Sequence, residues 1–263
     1  MLQKGMLIRR SQASGVVTTV TDLDHASGLA LRFVRLPADE AWSYDGADES
    51  ALLLMSGAAR VRVGALLDDV TRDSLFDEVG VAWSCSGGTP IEVQADTDVE
   101  LAWVQTRSTE SFVPRRCSEP RLDRRGRGTV DDAAFRHVIT YFDDRSADPA
   151  SRIVLGEVRT LPGRWSSYPP HAHAQPELYH YRFDRPHGYG HAEHGEEVFR
   201  VSAQDTLSIT PGATHAQCAA PGYAMYYLWT IRHLDDARYP APTFAPEHAW
   251  TMEPGAAVWR PGE

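Results

Sequence analysis

Apolar and polar residues alternate over short stretches along most of the chain. Clear examples are LALRFVRL (29–36), PIEVQA (90–95) and IVLGEVRTL (153–161), each bounded on at least one side by Gly, Pro or Asp. Because successive side chains of a strand point to opposite faces, this period of two predicts half-buried strands. Many such segments in a row favour a sandwich or barrel built from strands alone.

Two stretches concern the connections between strands. ALLLMSG (51–57) followed by AARVRVG (58–64) predicts two strands joined at a tight turn through Gly57. DDAAFRHVITYF (131–142) is one of the few candidates for an amphipathic helix, but it equally fits a strand preceded by a turn. We therefore expect very little helix.

Composition divides the chain into two strand-rich parts. From about residue 106 to 130 the sequence is rich in Arg, Ser, Pro and Gly and loses its apolar periodicity, which is typical of a linker. We therefore predict an N-terminal domain at 1–110, a linker at 111–130 and a C-terminal domain at 131–263. Each domain is long enough for a β-sandwich or barrel of its own.

Charge and cysteine content narrow the class of protein. The formal net charge of −10 at pH 7 disfavours nucleic acid and anionic membranes as partners. Cys85, Cys117 and Cys218 are odd in number and widely spaced, so no disulfide framework is predicted. No apolar run reaches the roughly 18–20 residues that span a bilayer, and no signal-peptide pattern is present. We expect a cytoplasmic protein with no nucleic-acid and no membrane partner.

The stretch YPPHAHAQPELYHYRF (168–183) holds the strongest chemical signal. His171 and His173 are two residues apart, so on an extended strand both point the same way. Glu177 follows after a proline-containing turn, and His215 comes later in TPGATH. A lone histidine is more often a surface or core residue than a ligand. Three neutral imidazoles with one carboxylate, however, suit a divalent ion such as Zn, Mn, Fe or Ni, with positions left open for substrate oxygens.

The order of these residues resembles the pattern of cupins: HxH, then a glutamate, a glycine-containing turn and a later PxxxH. GRWSSYPPHAH (163–173), ELYHYRF (177–183) and APGYAMYYLW (220–229) resemble the 5-deoxy-glucuronate isomerases of myo-inositol catabolism, a family related to the 4-deoxy-5-keto-uronate isomerases. The resemblance implies an all-β bicupin with two cupin-like (double-stranded β-helix or jelly-roll) domains, of which only the C-terminal one binds metal. The metal ligands that it implies are His171, His173, Glu177 and His215.

The function implied by this resemblance is that of a metal-dependent aldose–ketose isomerase acting on a deoxyuronic acid. Its reaction would convert 5-deoxy-glucuronate to 5-dehydro-2-deoxy-gluconate in inositol catabolism. The partner would be a small-molecule sugar acid, and the cofactor would be a divalent metal ion (Zn, Mn, Fe or Ni).

Residues close to Glu177 in sequence are candidate catalytic groups. Two tyrosines share the strand phase of Glu177 and can hydrogen-bond substrate hydroxyls. A substrate carboxylate requires an arginine fork, for which Arg182 is a candidate. On a regular strand Arg182 points away from Glu177, which leaves Arg164 and Arg136 as alternatives. The candidate catalytic set is Tyr179, Tyr181 and Arg182.

Two other functions stay open at this point. Three histidines and a glutamate also serve oxygen chemistry in other cupins, so a metal-dependent dioxygenase is one alternative. A non-catalytic sugar-binding cupin is the other. Assembly as a homo-oligomer is open as well, since a bicupin rich in sheet edges can pair through them.

Overall fold

Strands make up nearly all of the regular structure, as the predicted all-β class requires. The structure is a computed structural model and describes residues 6–10, 15–124 and 130–262. No helix within these residues is long and apolar enough to cross a membrane. Two short 3-10 helices span Val130–Asp132 and Pro246–Met252. The strands up to residue 106 are β1 Leu7–Ile8, β2 Val17–Thr21, β3 Ala30–Leu36, β4 Ala41–Tyr44, β5 Glu49–Val63, β6 Leu66–Arg72, β7 Ala82–Cys85, β8 Ile91–Ala95 and β9 Val99–Thr106. The later strands are β10 Arg115–Cys117, β11 Arg121–Asp123, β12 Arg136–Phe142, β13 Ile153–Thr160, β14 Trp165–Ala172, β15 Glu177–Phe183, β16 Tyr189–His194, β17 Glu197–Ser202, β18 Thr206–Ile209, β19 His215–Ala219, β20 Met225–Arg232 and β21 Thr243–Phe244.

The first half forms a two-layered jelly roll around its own apolar core. One layer follows the order β10-β7-β5-β9-β3-β2, and the other pairs β6 with β5, β5 with β8 and β8 with β4. Every second residue of these strands points inward, so side chains of both layers meet in one cluster. Its large members include Leu52, Trp83 and Trp103, all buried.

The prediction of a turn at Gly57 is wrong. β5 runs without interruption from Glu49 to Val63, and Gly57 is the point where it passes from one layer to the other. The φ of Gly57 is 91°, in the left-handed region, and a Cβ there would meet the backbone oxygen of Asp98 at 2.2 Å. Glycine therefore permits the bend and the close approach of another strand, but the chain does not reverse.

The second half repeats the jelly-roll plan. A sheet of order β1-β18-β15-β20-β13-β12-β11 faces a sheet of order β17-β16-β19-β14-β21. Residues 131–142 form a 3-10 turn and then β12, so the strand interpretation of that segment is confirmed. The core between these sheets includes three buried tyrosines, Tyr179, Tyr181 and Tyr227. The interior of this half is therefore more polar than that of the first.

The two halves pack back to back through the outer faces of their larger sheets. A buried apolar cluster draws members from both, among them Phe33 and Leu228. Across the same contact Arg72 pairs with Glu157 at 2.7 Å, with both side chains fully buried. Tyr226 donates a further hydrogen bond to Glu157 at 2.6 Å. A buried ion pair is tolerated only where its charges and hydrogen bonds are matched, and the contacts of Glu157 meet that condition.

The chain path crosses the predicted domain boundaries at two places. β1 pairs with β18, so residues 7–8 belong to a sheet of the second half. Within the predicted linker at 111–130, β10 pairs with β7 of the first half, and β11 pairs with β12 of the second. Residues 125–129 of that linker lie outside the described residues, as do 1–5 and 11–14 of the predicted N-terminal domain.

Candidate metal centre

Strands from both sheets of the second half bring the predicted ligands together. His171 in β14 lies directly opposite His215, the first residue of β19, in an antiparallel pair. His173 follows β14 directly, in the turn that leads to β15. Glu177 is the first residue of β15 and belongs to the facing sheet. Side chains from opposite walls of the barrel therefore converge.

Three of the four predicted ligands form a tight group. His173, Glu177 and His215 present ligand atoms that all lie within 4.8 Å of one another. His173 Nε2 is 3.0 Å from Glu177 Oε2, and His215 Nε2 is 3.4 Å from the same oxygen. His171 stands beside the group, with its ring centroid 4.3 Å from that of His215. The group of three is the nucleus of the candidate centre, and His171 is its immediate neighbour.

Backbone carbonyls determine which ring nitrogen of each histidine is protonated. A carbonyl oxygen can only accept a hydrogen bond, so the Nδ1 that faces it carries the proton, and the neutral ring keeps an unprotonated Nε2. Histidines that bind metals are commonly held in this way. The contacts are His171 Nδ1 to Ser167 O (3.0 Å), His173 Nδ1 to Gln175 O (2.8 Å) and His215 Nδ1 to Ala213 O (3.1 Å).

The carboxyl group of Glu177 is ionised although it is fully buried. Burial alone would raise its pKa, but the imidazoles of His173 and His215 hold the pKa of Glu177 at about 2. Burial lowers the pKa of His171 to about 3, and His215 acts in the same direction, so His171 is neutral. Burial would also lower the pKa of His173, but its hydrogen bond to Glu177 raises the pKa above the ordinary value. The hydrogen bond to the ionised Glu177 therefore favours the protonated form of His173 relative to a free imidazole.

The donor set fits a divalent cation. His215 Nε2 is buried and has no hydrogen-bond partner within the described part of the chain. A buried polar atom without a partner is costly, and here it lies next to a carboxylate. A cation held by His173, Glu177 and His215 would balance the charge of the carboxylate and satisfy this nitrogen. Imidazoles with one carboxylate are ligands that Zn, Mn, Fe and Ni accept.

A cavity of about 510 Å³ opens beside the group. His171 and Glu177 form part of its wall, so a ligand in the cavity can reach the candidate centre. Other polar wall residues include Arg136, Ser167 and Tyr227, together with the acidic Asp123 and Asp143. A concave site of this size is typical of small-molecule ligands.

Three hydroxyl groups line the cavity next to the candidate centre. Tyr179, a predicted catalytic residue, has its ring centroid 5.8 Å from that of His215, and its hydroxyl lies 3.4 Å from Ser167 Oγ. The Tyr227 hydroxyl lies 3.2 Å from the same Oγ and 2.6 Å from that of Ser166. Burial raises the pKa of both tyrosines above the ordinary value, so both hydroxyls keep their protons.

Sequence reasoning missed Ser167 and Tyr227. The pairing of β14 with β19 is irregular between Ser166 and His171, so strand parity does not determine where Ser167 points. The run MYYLW contains two adjacent tyrosines, and either could face the barrel interior. Pairing with β13 and β15 directs Tyr227 inward and Tyr226 to the contact between the halves. Strand alternation alone could have narrowed the candidates for an inward tyrosine to Tyr226 and Tyr227, without choosing between them.

Two predicted catalytic residues lie away from the cavity wall. Tyr181 is fully buried elsewhere in the barrel, where its hydroxyl donates to Gln217 Oε1 at 2.6 Å. Arg182 occupies the other face of β15 and pairs with Glu100 of the first half at 3.1 Å. Because side chains alternate along a strand, the neighbour of an inward tyrosine must point outward. The hypothesis that Arg182 binds substrate is therefore corrected: it joins the two halves, and of its two alternatives Arg136 lines the cavity.

An irregular segment after β20 closes one side of the cavity. Residues 239–242 belong to the wall, and the ring centroid of Tyr239 lies 4.9 Å from that of His173. The backbone N–H of Tyr239 donates to His233 Nδ1 at 2.9 Å, which anchors the segment. No periodic pattern marks such a segment, so sequence reasoning had no means of including Tyr239.

Two jelly rolls in one chain, the second with a histidine–glutamate group beside a cavity, define a bicupin with a candidate metal centre. Solved structures share this fold. An IolB-like protein from Salmonella typhimurium LT2 superposes with a TM-score of 0.84 at 23% identity, over 95% of this chain and 100% of that one. A mutant of oxalate decarboxylase from Bacillus subtilis superposes with a TM-score of 0.66 at 15% identity, over 95% and 81%.

The sequence model of the KduI/IolB family matches residues 6–251, and the chain belongs to that family. The 5-deoxy-glucuronate isomerase of Geobacillus kaustophilus (strain HTA426) is 30% identical over 237 residues, which cover 78% of each chain. The 5-deoxy-glucuronate isomerase of Geobacillus thermodenitrificans (strain NG80-2) is 28% identical over 241 residues, covering 78% of this chain and 79% of the relative.

Proposed function

We propose that this chain is a metal-dependent aldose–ketose isomerase that converts 5-deoxy-glucuronate to 5-dehydro-2-deoxy-gluconate. The observation that carries the proposal is the group of His173, Glu177 and His215 beside a cavity of about 510 Å³. The substrate follows from the relatives, which bear the name 5-deoxy-glucuronate isomerase and match over more than three quarters of the chain.

The reaction moves hydrogen between two adjacent carbons of the sugar. C2 loses a proton and C1 gains one, while a hydroxyl proton passes from O2 to O1. A divalent ion bound by the three ligands would supply Lewis-acid stabilisation of the negative charge that develops on these oxygens.

Hydroxyl groups of the cavity wall handle the oxygen-bound protons in this proposal. The Oη atoms of Tyr179 and Tyr227 hold their protons because burial raises the pKa of each. Both phenols can therefore donate hydrogen bonds to sugar oxygens, and Tyr179, which lies nearer to Glu177 along β15, can carry a proton from O2 to O1. Ser167, which lies between the two phenols, keeps them oriented toward each other.

The test is turnover of 5-deoxy-glucuronate by metal-reconstituted protein, followed by NMR, with metal content measured on the same sample. We expect the ketose product to form at a rate proportional to the bound metal. Removal of the metal with a chelator should abolish turnover, and its return should restore it. Stoichiometrically loaded protein that converts no 5-deoxy-glucuronate would refute the proposal.

Oxygen uptake distinguishes this proposal from the alternative of a metal-dependent dioxygenase. An isomerase rearranges its substrate and consumes no O₂, whereas a dioxygenase consumes O₂ in step with substrate loss. The likeness to oxalate decarboxylase is one of fold at 15% identity and does not favour oxygen chemistry. Binding of the sugar acid without turnover or O₂ uptake would indicate a sugar-binding cupin.

A further inference from the structure

The end of the cavity formed by β12 carries a buried positive charge. Arg136 is the first residue of β12, lines the cavity and is only 4% exposed. Its Nη1 donates to the backbone oxygen of Ala134 at 2.8 Å, which helps to hold the guanidinium in place. Arg121 and Arg145 also line the cavity, but both are exposed to solvent, and Arg121 pairs with Asp143 at 2.8 Å. Of the three, Arg136 is the one shielded from water.

Hydroxyl groups accompany this charge. Tyr227 faces the same cavity, and its hydroxyl lies 3.2 Å from Ser167 Oγ. Val138, Val158 and Tyr227 lie side by side across β12, β13 and β20, and Arg136 precedes Val138 by two residues on the same face of β12, so Arg136 and Tyr227 share one wall of the cavity. A buried guanidinium beside hydroxyl groups is suited to a carboxylate.

The spacing along the wall suits a six-carbon acid. The ring centroid of Tyr179 lies 5.8 Å from that of His215 and 4.8 Å from that of Tyr227. Along β15, Tyr179 lies between Glu177 and the position opposite Tyr227, so its ring stands between the candidate metal centre and the end near Tyr227. A chain of six carbons has five C–C bonds and spans roughly 6 Å when extended. One molecule can therefore place C1 and C2 at the candidate centre and its acid group beside Tyr227.

We propose that Arg136, together with the hydroxyls of Tyr227 and Ser167, binds the carboxylate of the substrate and so determines which end of the sugar reaches the metal centre. This inference rests on the proposed function and names the group that selects acids over neutral sugars. A guanidinium carries five N–H donors in a planar fork, so it can hold a backbone carbonyl and a carboxylate together. The carboxylate takes no part in the isomerisation. Arg136 binds it and so orients the sugar.

The experiment compares 5-deoxy-glucuronate with its C6 carboxamide, a neutral analogue of nearly the same shape. Metal-loaded wild-type protein should favour the acid in kcat/KM by about 10- to 100-fold, the usual strength of a charge-assisted hydrogen-bond pair. Arg136→Gln should remove most of this preference by raising KM for the acid, while kcat/KM for the carboxamide changes by less than about threefold. Arg136→Lys keeps the charge without the planar fork, so its preference for the acid should lie between those of the wild type and Arg136→Gln.

Further variants separate positioning from structural damage. Tyr227→Phe removes one hydroxyl and should lower the preference for the acid by a smaller factor than Arg136→Gln does. This variant still tests the inference if Arg136→Gln does not fold. Arg145→Gln removes a charge from the exposed rim of the same cavity and should change the preference by less than about twofold. Circular dichroism and metal content establish that each variant is folded and loaded.

The outcomes decide the inference independently of the proposed function. If Arg136→Gln lowers kcat/KM for acid and amide equally, or if Arg145→Gln removes the preference instead, the carboxylate does not bind at Arg136. If wild-type protein turns over neither compound, the proposed function fails. In that case calorimetric titration with 5-deoxy-glucuronate and its carboxamide still decides the site: selective loss of acid binding in Arg136→Gln supports it, and unchanged acid binding overturns it.

Discussion

The two barrels of the chain share one plan of strand pairing and differ in what fills them. β14 pairs with β19, and β15 with β20, just as β4 pairs with β8 and β5 with β9. Trp103 lies opposite Leu52 in the first barrel, and Trp229 lies opposite Tyr179 in the second. We take these two pairs as equivalent positions. None of the matched first-barrel residues is a histidine or a carboxylate. They are Ser50 for Glu177, Tyr44 for His171 and Ile91 for His215.

Aromatic rings fill the first barrel where the second has its cavity. The ring of Trp103 packs edge-on against those of Trp42 and Tyr44, at centroid distances of 5.0 and 4.6 Å. Its indole N–H donates to Ser50 Oγ at 3.2 Å, and the amide of Gln105 donates to the Tyr44 hydroxyl at 2.8 Å. The same backbone plan therefore yields a packed core in one half and a polar cavity in the other. Side chains, rather than fold, decide which barrel can do chemistry.

The sharpest test of this difference replaces the matched residues Glu177 and Ser50. Glu177→Ala removes the carboxylate, so we expect loss of bound metal and a fall in turnover of at least about 10³-fold, equivalent to several kcal/mol of lost Lewis-acid stabilisation. Ser50→Ala is the control and should keep full metal content and activity. Metal analysis and an NMR turnover assay check both variants. Full activity in Glu177→Ala would show that the second barrel does not hold the active site.

Acidification should release the metal from the second barrel. Protons compete with the metal for His173, whose pKa is raised by its hydrogen bond to Glu177, so metal affinity falls as the pH falls. We expect stoichiometric metal at pH 7.5 and extensive loss by about pH 5, measured by dialysis and elemental analysis while circular dichroism reports the fold. Retention of one equivalent at pH 4 would argue against this ligand set.

The buried ion pair between the halves tests whether the first barrel supports the wall of the second. Arg72→Met leaves the carboxylate of Glu157 buried without its partner charge, which costs about 3–5 kcal/mol of unfolding free energy. The double variant Arg72→Met/Glu157→Gln removes both charges and should recover part of that loss. Denaturant unfolding measures each value. A change below about 1 kcal/mol in the single variant would show that the halves do not depend on this contact.

The matched tryptophans should respond in opposite ways to the same substitution. Trp103→Phe removes a packed indole and its bond to Ser50, so we expect a loss of about 1–3 kcal/mol in stability without an effect on KM. Trp229 lines the cavity, and its indole nitrogen has no partner among the described residues. Trp229→Phe should therefore cost less stability and raise KM several-fold. Equal effects of the two variants on KM would contradict the assignment of different roles to the barrels.

The smallest expected effect concerns His233, which anchors the segment beside the cavity. Burial lowers the pKa of His233 to about 4, with Arg238 acting in the same direction. Between about pH 6.5 and 4 the unfolded chain binds a proton at this residue that the folded chain does not, so stability falls as the pH falls through that window. His233→Gln should flatten this dependence in thermal unfolding, whereas His187→Gln, at an exposed histidine, should not. An unchanged slope in His233→Gln would rule out His233 as its source.

Local pattern was sufficient to predict the all-β class and to select four candidate ligands. Alternation specifies which face each residue takes, so His171 and His173 could be assigned to one face before any pairing was known. Glu177 and His215 could be added because few residue types bind a divalent ion. Three of these four form the tight group, and His171 contacts it.

Features that depend on pairing or on irregular backbone could not be predicted in this way. The turn predicted at Gly57 failed because a positive φ permits a bend as readily as a reversal. Arg182 was proposed for its chemistry, but strand parity, which pointed the other way, decided its position. Tyr227 is inward only because of its register with β13 and β15, and β1 joins a strand some 200 residues away, a contact that no local pattern encodes.

The most direct measurement is a crystal structure of metal-reconstituted protein, with anomalous diffraction recorded at the absorption edge of the bound metal. We predict one strong anomalous peak per chain, inside the second barrel, within about 2.0–2.3 Å of His173 Nε2, His215 Nε2 and a carboxylate oxygen of Glu177. A peak elsewhere, or imidazoles that bind no common ion in fully reconstituted protein, would contradict the account.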